Sequence, residues 1–264
     1  MWAARANAPH RALYHRGRMP DLASLAALFA AGLVSGTLNV LAGGGSFLTL
    51  PVLLFLGLPA PVANATNRVG VFTQSLGAIC GFHRHRVLDW RWALGASVPA
   101  VLGAAIGASM ALSITDFAFR RVLSVAMLAV TLWTMLGAER LVRSRPRRPG
   151  DPLVIAGFFV VGLYGGFLQA GVGFLVLAVT TLAGMDLVRG NAVKMLSVLL
   201  LTVVSLAIFA RGGVIDWPLG IALGLGNFAG SLVGVRLAVL RGHAWLQRVV
   251  TATIILFAVL LWIT

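Results

Sequence analysis

The stretch from Asn39 to Arg68, NVLAGGGSFLTLPVLLFLGLPAPVANATNR, sets the tightest limit on how this chain folds. It lies within long apolar sequence, yet it holds Gly43, Gly44 and Gly45 in a row, Pro51, Pro59 and Pro61, and three asparagines. Glycine costs about 1 kcal/mol relative to alanine at each helical position, and an interior proline costs more. One unbroken helix is therefore excluded. The rest of the chain decides what the break means. It is 59% hydrophobic and 11% charged, with a mean hydropathy of +0.95, against roughly 25% charged residues in soluble domains. It reads as an all-α polytopic membrane protein. In a bilayer, broken backbone persists only where protein buries it or where it lines a wet cavity. The stretch is thus expected to be a broken or re-entrant element at a binding site. Its apolar piece, 47–58, is too short to cross ~30 Å of hydrocarbon as a helix.

The pattern occurs twice. A shift of 127 residues carries Phe47-Leu48 onto Phe174-Leu175, Gly57 onto Gly184, Asn64-Ala65 onto Asn191-Ala192, Asp89-Trp90 onto Asp216-Trp217, and Gly103 and Gly107 onto Gly230 and Gly234. The second copy reads LQAGVGFLVLAVTTLAGMDLVRGNAVK, from Leu168 to Lys194. Duplicated halves with interrupted apolar segments at matching positions point to the binding site of a secondary transporter. The chain divides into a basic tail (1–20) expected in the cytoplasm, a first repeat (21–138), an arginine-rich linker (139–150) and a second repeat (151–264). No small-residue cleavage site follows a short apolar core near the start, so no cleaved signal peptide is expected.

Spans are expected at 22–41, 63–82, 92–112 and 117–137 in the first repeat, with a small-residue packing face at Gly103 and Gly107. The chain holds 21 basic residues and 7 acidic ones. The excess lies largely in the tail, at 83–91 and at 139–150, so all three are expected on the cytoplasmic side and nucleic acid is not an expected partner. That favours a duplicated bundle of about eight spans plus two short re-entrant segments. If 44–58 crosses, the alternative is ten spans as five-plus-five inverted repeats. Cys80 is the only cysteine, which excludes an internal disulfide and a cysteine metal cluster. No metal or cofactor is expected.

Arg68 and Lys194 are the most informative charges. Lys194 aligns with Asn67, one residue from Arg68 in repeat register. Either could snorkel to the interface from a span end. Alternatively they neutralise an oxyanion, since an intramembrane ionisable residue is a functional candidate by default. Only Asp186 is an acidic neighbour in sequence, so no salt-bridge partner is expected, and their removal is expected to leave folding intact. Asn64 and Asn191 either cap helices or present amides to substrate. Asn39, Ser46, Thr66, Asn67 and Gln169 extend the polar lining. Gly43, Gly44 and Gly45, with Gly171 and Gly173, either open half-helix N-termini that bind anions or allow a tight crossing. No Gly-Lys-Ser/Thr follows the glycines, which excludes a P-loop. Asp89 and Asp216 are expected as helix caps beside interfacial tryptophans.

At AGGGSFLTLPVLLFLGLPAPVANATNRV and GFLQAGVGFLVLAVTTLAGMDLVRGNAVK the chain resembles the sulfite exporter TauE/SafE family of membrane permeases. The resemblance runs from about Leu22 to the end. It implies a duplicated helical bundle in the cell membrane that moves sulfite, sulfoacetate or related small anions outward. It leaves a homo-oligomer open. An anion channel on the same scaffold is the nearest alternative. An intramembrane enzyme would need a paired nucleophile and base, or a metal cluster, and the spans offer neither.

Overall fold

The structure is a computed structural model that describes residues 21–122, 124–125, 129 and 146–263. The tail, most of the span expected at 117–137 and most of the linker lie outside the described residues. Eight helices follow one another: α1 (Leu22–Leu41), α2 (Ser46–Phe55), α3 (Ala60–Arg84), α4 (Trp90–Ser113), α5 (Pro152–Phe167), α6 (Val172–Leu182), α7 (Leu187–Gly212) and α8 (Trp217–Ile263). A further helical stretch begins at 116. The described residues contain no strand. Helices α1, α4, α7 and the Trp217–Arg241 part of α8 are long and apolar enough to cross a membrane. With 25 residues, α3 has the length, but its first turns hold Asn64, Thr66, Asn67 and Arg68.

Both glycine-rich stretches break the helix, as the sequence predicts. α2 has 10 residues and α6 has 11, about 15 Å each and half a bilayer core. Gly43 (φ +98°) and Gly171 (φ +73°) turn the chain before them, and Gly57 (φ +89°) and Gly184 (φ +82°) turn it after them. These left-handed conformations are strained for any residue with a Cβ. Gly45 lies against Ser35 and Asn39, and Ser46 and Thr49 bond Asn67. α2 therefore folds back along α1 and then pairs with the start of α3 as an antiparallel hairpin.

Glycine backbones set the helix directions. Gly103 lies against Phe159 and Leu163, and Gly107 against Leu163 and Phe167, while Gly162 and Gly166 lie against Ala100 and Ala104. Numbers rise together, so α4 and α5 are parallel. By the same test Gly226 and Gly230, against Phe29 and Leu33, make α8 parallel to α1, and Gly70 and Gly77, against Asn227 and Ser231, make α8 parallel to α3. Ser97 bonds Ser197 and Gly212 meets Leu112, so α7 is parallel to α4. The turn after α7 donates Asp216 N–H to Thr66 Oγ1 at the start of α3 (3.0 Å). At the far end, the 86–89 turn after α3 shares a cavity with the 183–186 turn before α7. Equivalent helices α3 and α7 thus run in opposite senses, as do α1 and α5, and α4 and α8. Each repeat's last helix packs on the first helix of the other. Asp89 caps α4 through Trp92 N–H (3.0 Å), and Asp216 accepts from Leu219 N–H (3.1 Å).

Small residues at these crossings let backbones touch, the main source of helix association where water is absent. A Cβ at Gly162 would lie 2.6 Å from Ala100 Cα, whereas nothing lies within 4 Å of one at Gly150. Gly162→Leu should therefore cost about 3 kcal/mol or more through overpacking, lowering the melting temperature of the detergent-purified protein by about 6 °C or more, while Gly150→Ala leaves it unchanged. Thermal denaturation followed by size exclusion reads both.

Candidate functional site

A helix leaves its last four carbonyls without intrahelical partners. For a helix that stops inside a bundle, each needs a donor. At the end of α1, Leu38 O accepts from Ala42 N–H (2.7 Å). Asn39 O and Val40 O accept from Lys194 Nζ at 2.7 and 3.2 Å. Leu41 O accepts from Asn191 Nδ2 at 3.4 Å. At the end of α5 the order repeats. Tyr164 O accepts from Leu168 N–H (2.6 Å), Gly165 O and Gly166 O from Arg68 Nη1 and Nη2 at 2.8 and 2.6 Å, and Phe167 O from Asn64 Nδ2 at 3.0 Å. One cation and one asparagine from each repeat thus close the broken helix of the other. The one-residue offset between Arg68 and Lys194 in repeat register has its match in the helix ends, which are offset by the same residue.

Arg68 and Lys194 are each 0% exposed. Lys194 has three N–H protons and three acceptors, the third being Asn191 Oδ1. Arg68 Nη1 also donates to Gln169 Oε1 (2.8 Å), its guanidinium lies 4.8 Å from the Phe209 ring centroid, and its Nε has no partner. Neither cation pairs with a carboxylate among the described residues; the ion pairs there are Arg120–Asp116, Arg147–Asp151 and Arg189–Asp186. The expectation that these cations lack structural partners is thereby corrected. The acceptors are backbone carbonyls at helix C-termini, where the dipole favours a cation, and no residue type in the sequence marks them.

The remaining candidates divide. Gln169 N–H donates to Asn64 Oδ1 (3.3 Å), so Gln169, Asn64 and Arg68 form one cluster. Asn191, Lys194 and the Asn39 backbone form the second. Asn67 is held at the start of α2, accepting from Thr49 Oγ1 (2.6 Å) and donating to Ser46 Oγ (3.2 Å). Thr66 belongs to neither cluster and accepts from Asp216 N–H. The two breaks meet in the middle. A Cβ on Gly43 would lie 2.6 Å from Gly173 C, and one on Gly173 would lie 2.6 Å from Gly43 Cα. Beside them Phe47 and Phe174, equivalent in the repeat, stack at 6.2 Å. Gly44 accepts from Phe47 N–H, Gly45 packs on α1, and Gly171 caps α6. Sequence reading passed over Gln74, Thr202 and Asn227, which are buried with polar atoms that have no partner. A glutamine mid-way along an apolar span is the signal that could have found the first.

Lys194→Met would leave two buried carbonyls and an amide oxygen without a donor, at about 1–3 kcal/mol each. The expected loss is about 3 kcal/mol or more, a fall in melting temperature of about 6–12 °C. An unchanged melting curve would contradict the closing role.

The family model described as sulfite exporter TauE/SafE matches residues 28–261. A probable membrane transporter protein of Haemophilus influenzae is 29% identical over 230 residues, covering 86% of this chain and 89% of the relative. The probable membrane transporter protein YfcA of Escherichia coli K12 is 27% identical over 228 residues, 86% of this chain and 85% of the relative. The probable membrane transporter protein ORF9 of a Sinorhizobium species is 28% identical over 229 residues, 85% and 87% of the two chains. No solved structure matches.

Proposed function

The chain belongs to the sulfite exporter TauE/SafE family, and from that premise we propose that this multi-pass membrane transporter moves small oxyanions such as sulfite or sulfoacetate out of the cell. The observation that carries this reading is a pair of buried cations, Arg68 and Lys194, held at two broken helix ends with carbonyl partners and no carboxylate partner among the described residues. A carboxylate beside either would already neutralise it. An anion entering a low-dielectric bundle loses hydration worth several kcal/mol, which fixed cations and N–H donors replace. The N-termini of α2 and α6 meet at Phe47 and Phe174, so two positive helix ends converge on the same place. An inside-negative potential favours anion exit by ~2.3 kcal/mol per charge per 100 mV.

Full burial of both cations supports a carrier over an open channel, since an open pore past them would expose them. Rocking of one repeat against the other gives alternating access around the paired breaks. The substrate takes over donors that now serve carbonyls, with Arg68 Nε already uncommitted. Proteoliposomes containing the protein should take up labelled sulfite with saturating kinetics and show counterflow when preloaded. Flux linear in concentration without counterflow would identify a channel, and no flux of any anion in a sulfite, sulfoacetate, sulfate and acetate panel would sink the reading.

For topology, the opposed directions of equivalent helices favour the five-plus-five inverted arrangement over eight spans with parallel halves. In this arrangement α2 and α6 are return limbs, and the 83–91 loop and 146–151 share the cytoplasmic face. The turns at 57–59, 114–116 and 213–216, and with them the start of α1, face outward. The tail at 1–20 then leaves α1 on the external side, unlike the grouping that its arginines alone suggest. Single cysteines at 85 and 186 should label only from the cytoplasmic side and cysteines at 58 and 116 only from outside; labelling of 58 and 85 from one side would restore parallel halves.

A further inference from the structure

We infer that the cavity between the α3–α4 turn, the α6–α7 turn and Arg147 is an anion-collecting basin, and that it makes one mouth of the transporter selective for anions while the pseudo-equivalent mouth is not. The inference rests on the anion-permease reading above. The cavity has a volume of about 530 Å³ and is lined by Arg86, Arg147 and Arg189, with Asp89, Asp186 and Trp92 among the other walls. All three arginines are exposed. The two acids are committed to helix caps: Asp89 accepts from Trp92 N–H (3.0 Å), and Asp186 from Val188 and Arg189 N–H at 2.9 and 3.0 Å. Arg147 bonds Asp151 (3.1 Å), whose carboxyl is held below the usual carboxylate range by the Leu153 N–H and by Arg147 itself. Arg189 reaches Asp186 only at 3.6 Å. The cavity extends to Val193, the residue before the buried Lys194.

The repeat supplies an internal control. The same turns recur on the opposite face with the same backbone: Gly57 matches Gly184, both with positive φ, and Asp216 matches Asp89. The charges do not recur. Gly213 stands where Arg86 stands in the first copy, and Val62 stands where Arg189 stands in the second. A transporter built from two inverted copies would otherwise have electrostatically similar mouths. Arginines at one mouth only raise the local concentration of anions there, and that advantage is screened by salt.

The test uses the full chain reconstituted in phosphatidylcholine vesicles, with orientation read from the accessibility of a cysteine at 186. Labelled sulfite flux is started from either face. Arg86→Gln combined with Arg189→Gln should raise KM from the arginine-lined face roughly three- to tenfold at low salt. It should leave kcat and the KM from the other face unchanged. The difference should vanish at ~0.5 M salt, where the Debye length falls below ~5 Å. Both side chains are exposed, and an unchanged melting temperature confirms that folding is intact. Equal KM shifts from both faces, or none at low salt, would overturn the inference while leaving the permease reading standing. A shift that appears only when phosphatidylglycerol is added would assign the basin to lipid phosphate and overturn it as well. Absence of anion flux in the unmodified protein would instead remove the permease reading, and this one with it.

Discussion

Everything in this bundle depends on how two helices can stop inside protein. The ends of α1 and α5 each present carbonyls that water cannot reach. In each case the chain meets the demand with a cation and an asparagine from the opposite repeat. Neither repeat can satisfy its own broken end in this arrangement. Each charge-assisted bond is worth about 1.5–3 kcal/mol, which offsets the several kcal/mol lost when a cation leaves water. Remove the donors, and the carbonyls cost as much again by being left unmade. The site and the fold are therefore one set of interactions.

The glycines follow from the same requirement. For Lys194 to reach Asn39 and Arg68 to reach Gly165, the two breaks must cross at backbone contact. Gly43 and Gly173 permit this, since a Cβ on either would fall within 2.6 Å of the other's backbone. Farther out, Gly103, Gly107, Gly162 and Gly166 bring α4 and α5 together, and Gly226 and Gly230 do the same for α8 and α1. Each long crossing joins a helix of one repeat to a helix of the other, so the halves interlock. Motion that opens the site must slide these glycine seams or bend the return limbs, because side chains do not cushion the contacts.

Much of this was legible in the sequence. The glycine and proline interruptions of 39–68 and 168–194 marked the short helices, and the 127-residue register marked their equivalence. Gly103 and Gly107 marked a close crossing, and Asp89 and Asp216 marked helix starts. The direction of the halves was not legible, because it depends on whether α2 returns the chain. A segment of 10 apolar residues reads alike as a re-entrant loop or as a short return limb. Charge counting misled for the same reason: grouping the tail with 83–91 presumed an even number of crossings between them. The partners of Arg68 and Lys194 were also hidden. A search for acidic neighbours looks for a residue type, whereas the acceptors here are main-chain oxygens supplied by geometry.

The saturation of Lys194 constrains any transport cycle built on this site. An ammonium has three protons, and Asn39 O, Val40 O and Asn191 Oδ1 take all three. An oxyanion binding Lys194 must displace at least one of them, and a displaced carbonyl at the end of α1 needs a new donor. Water is the only general source, so an anion can reach Lys194 only in a state that also hydrates the α1 break. Arg68 differs, because Nη1 and Nη2 hold the α5 end while Nε remains without a partner. An anion could engage Arg68 Nε without freeing either Gly165 or Gly166. The two half-sites are alike in architecture and unequal in cost. Arg68 offers a first contact that leaves the closed bundle intact, whereas Lys194 binds anion only as the bundle opens. That inequality gives a duplicated protein an order of events that symmetry alone would not supply.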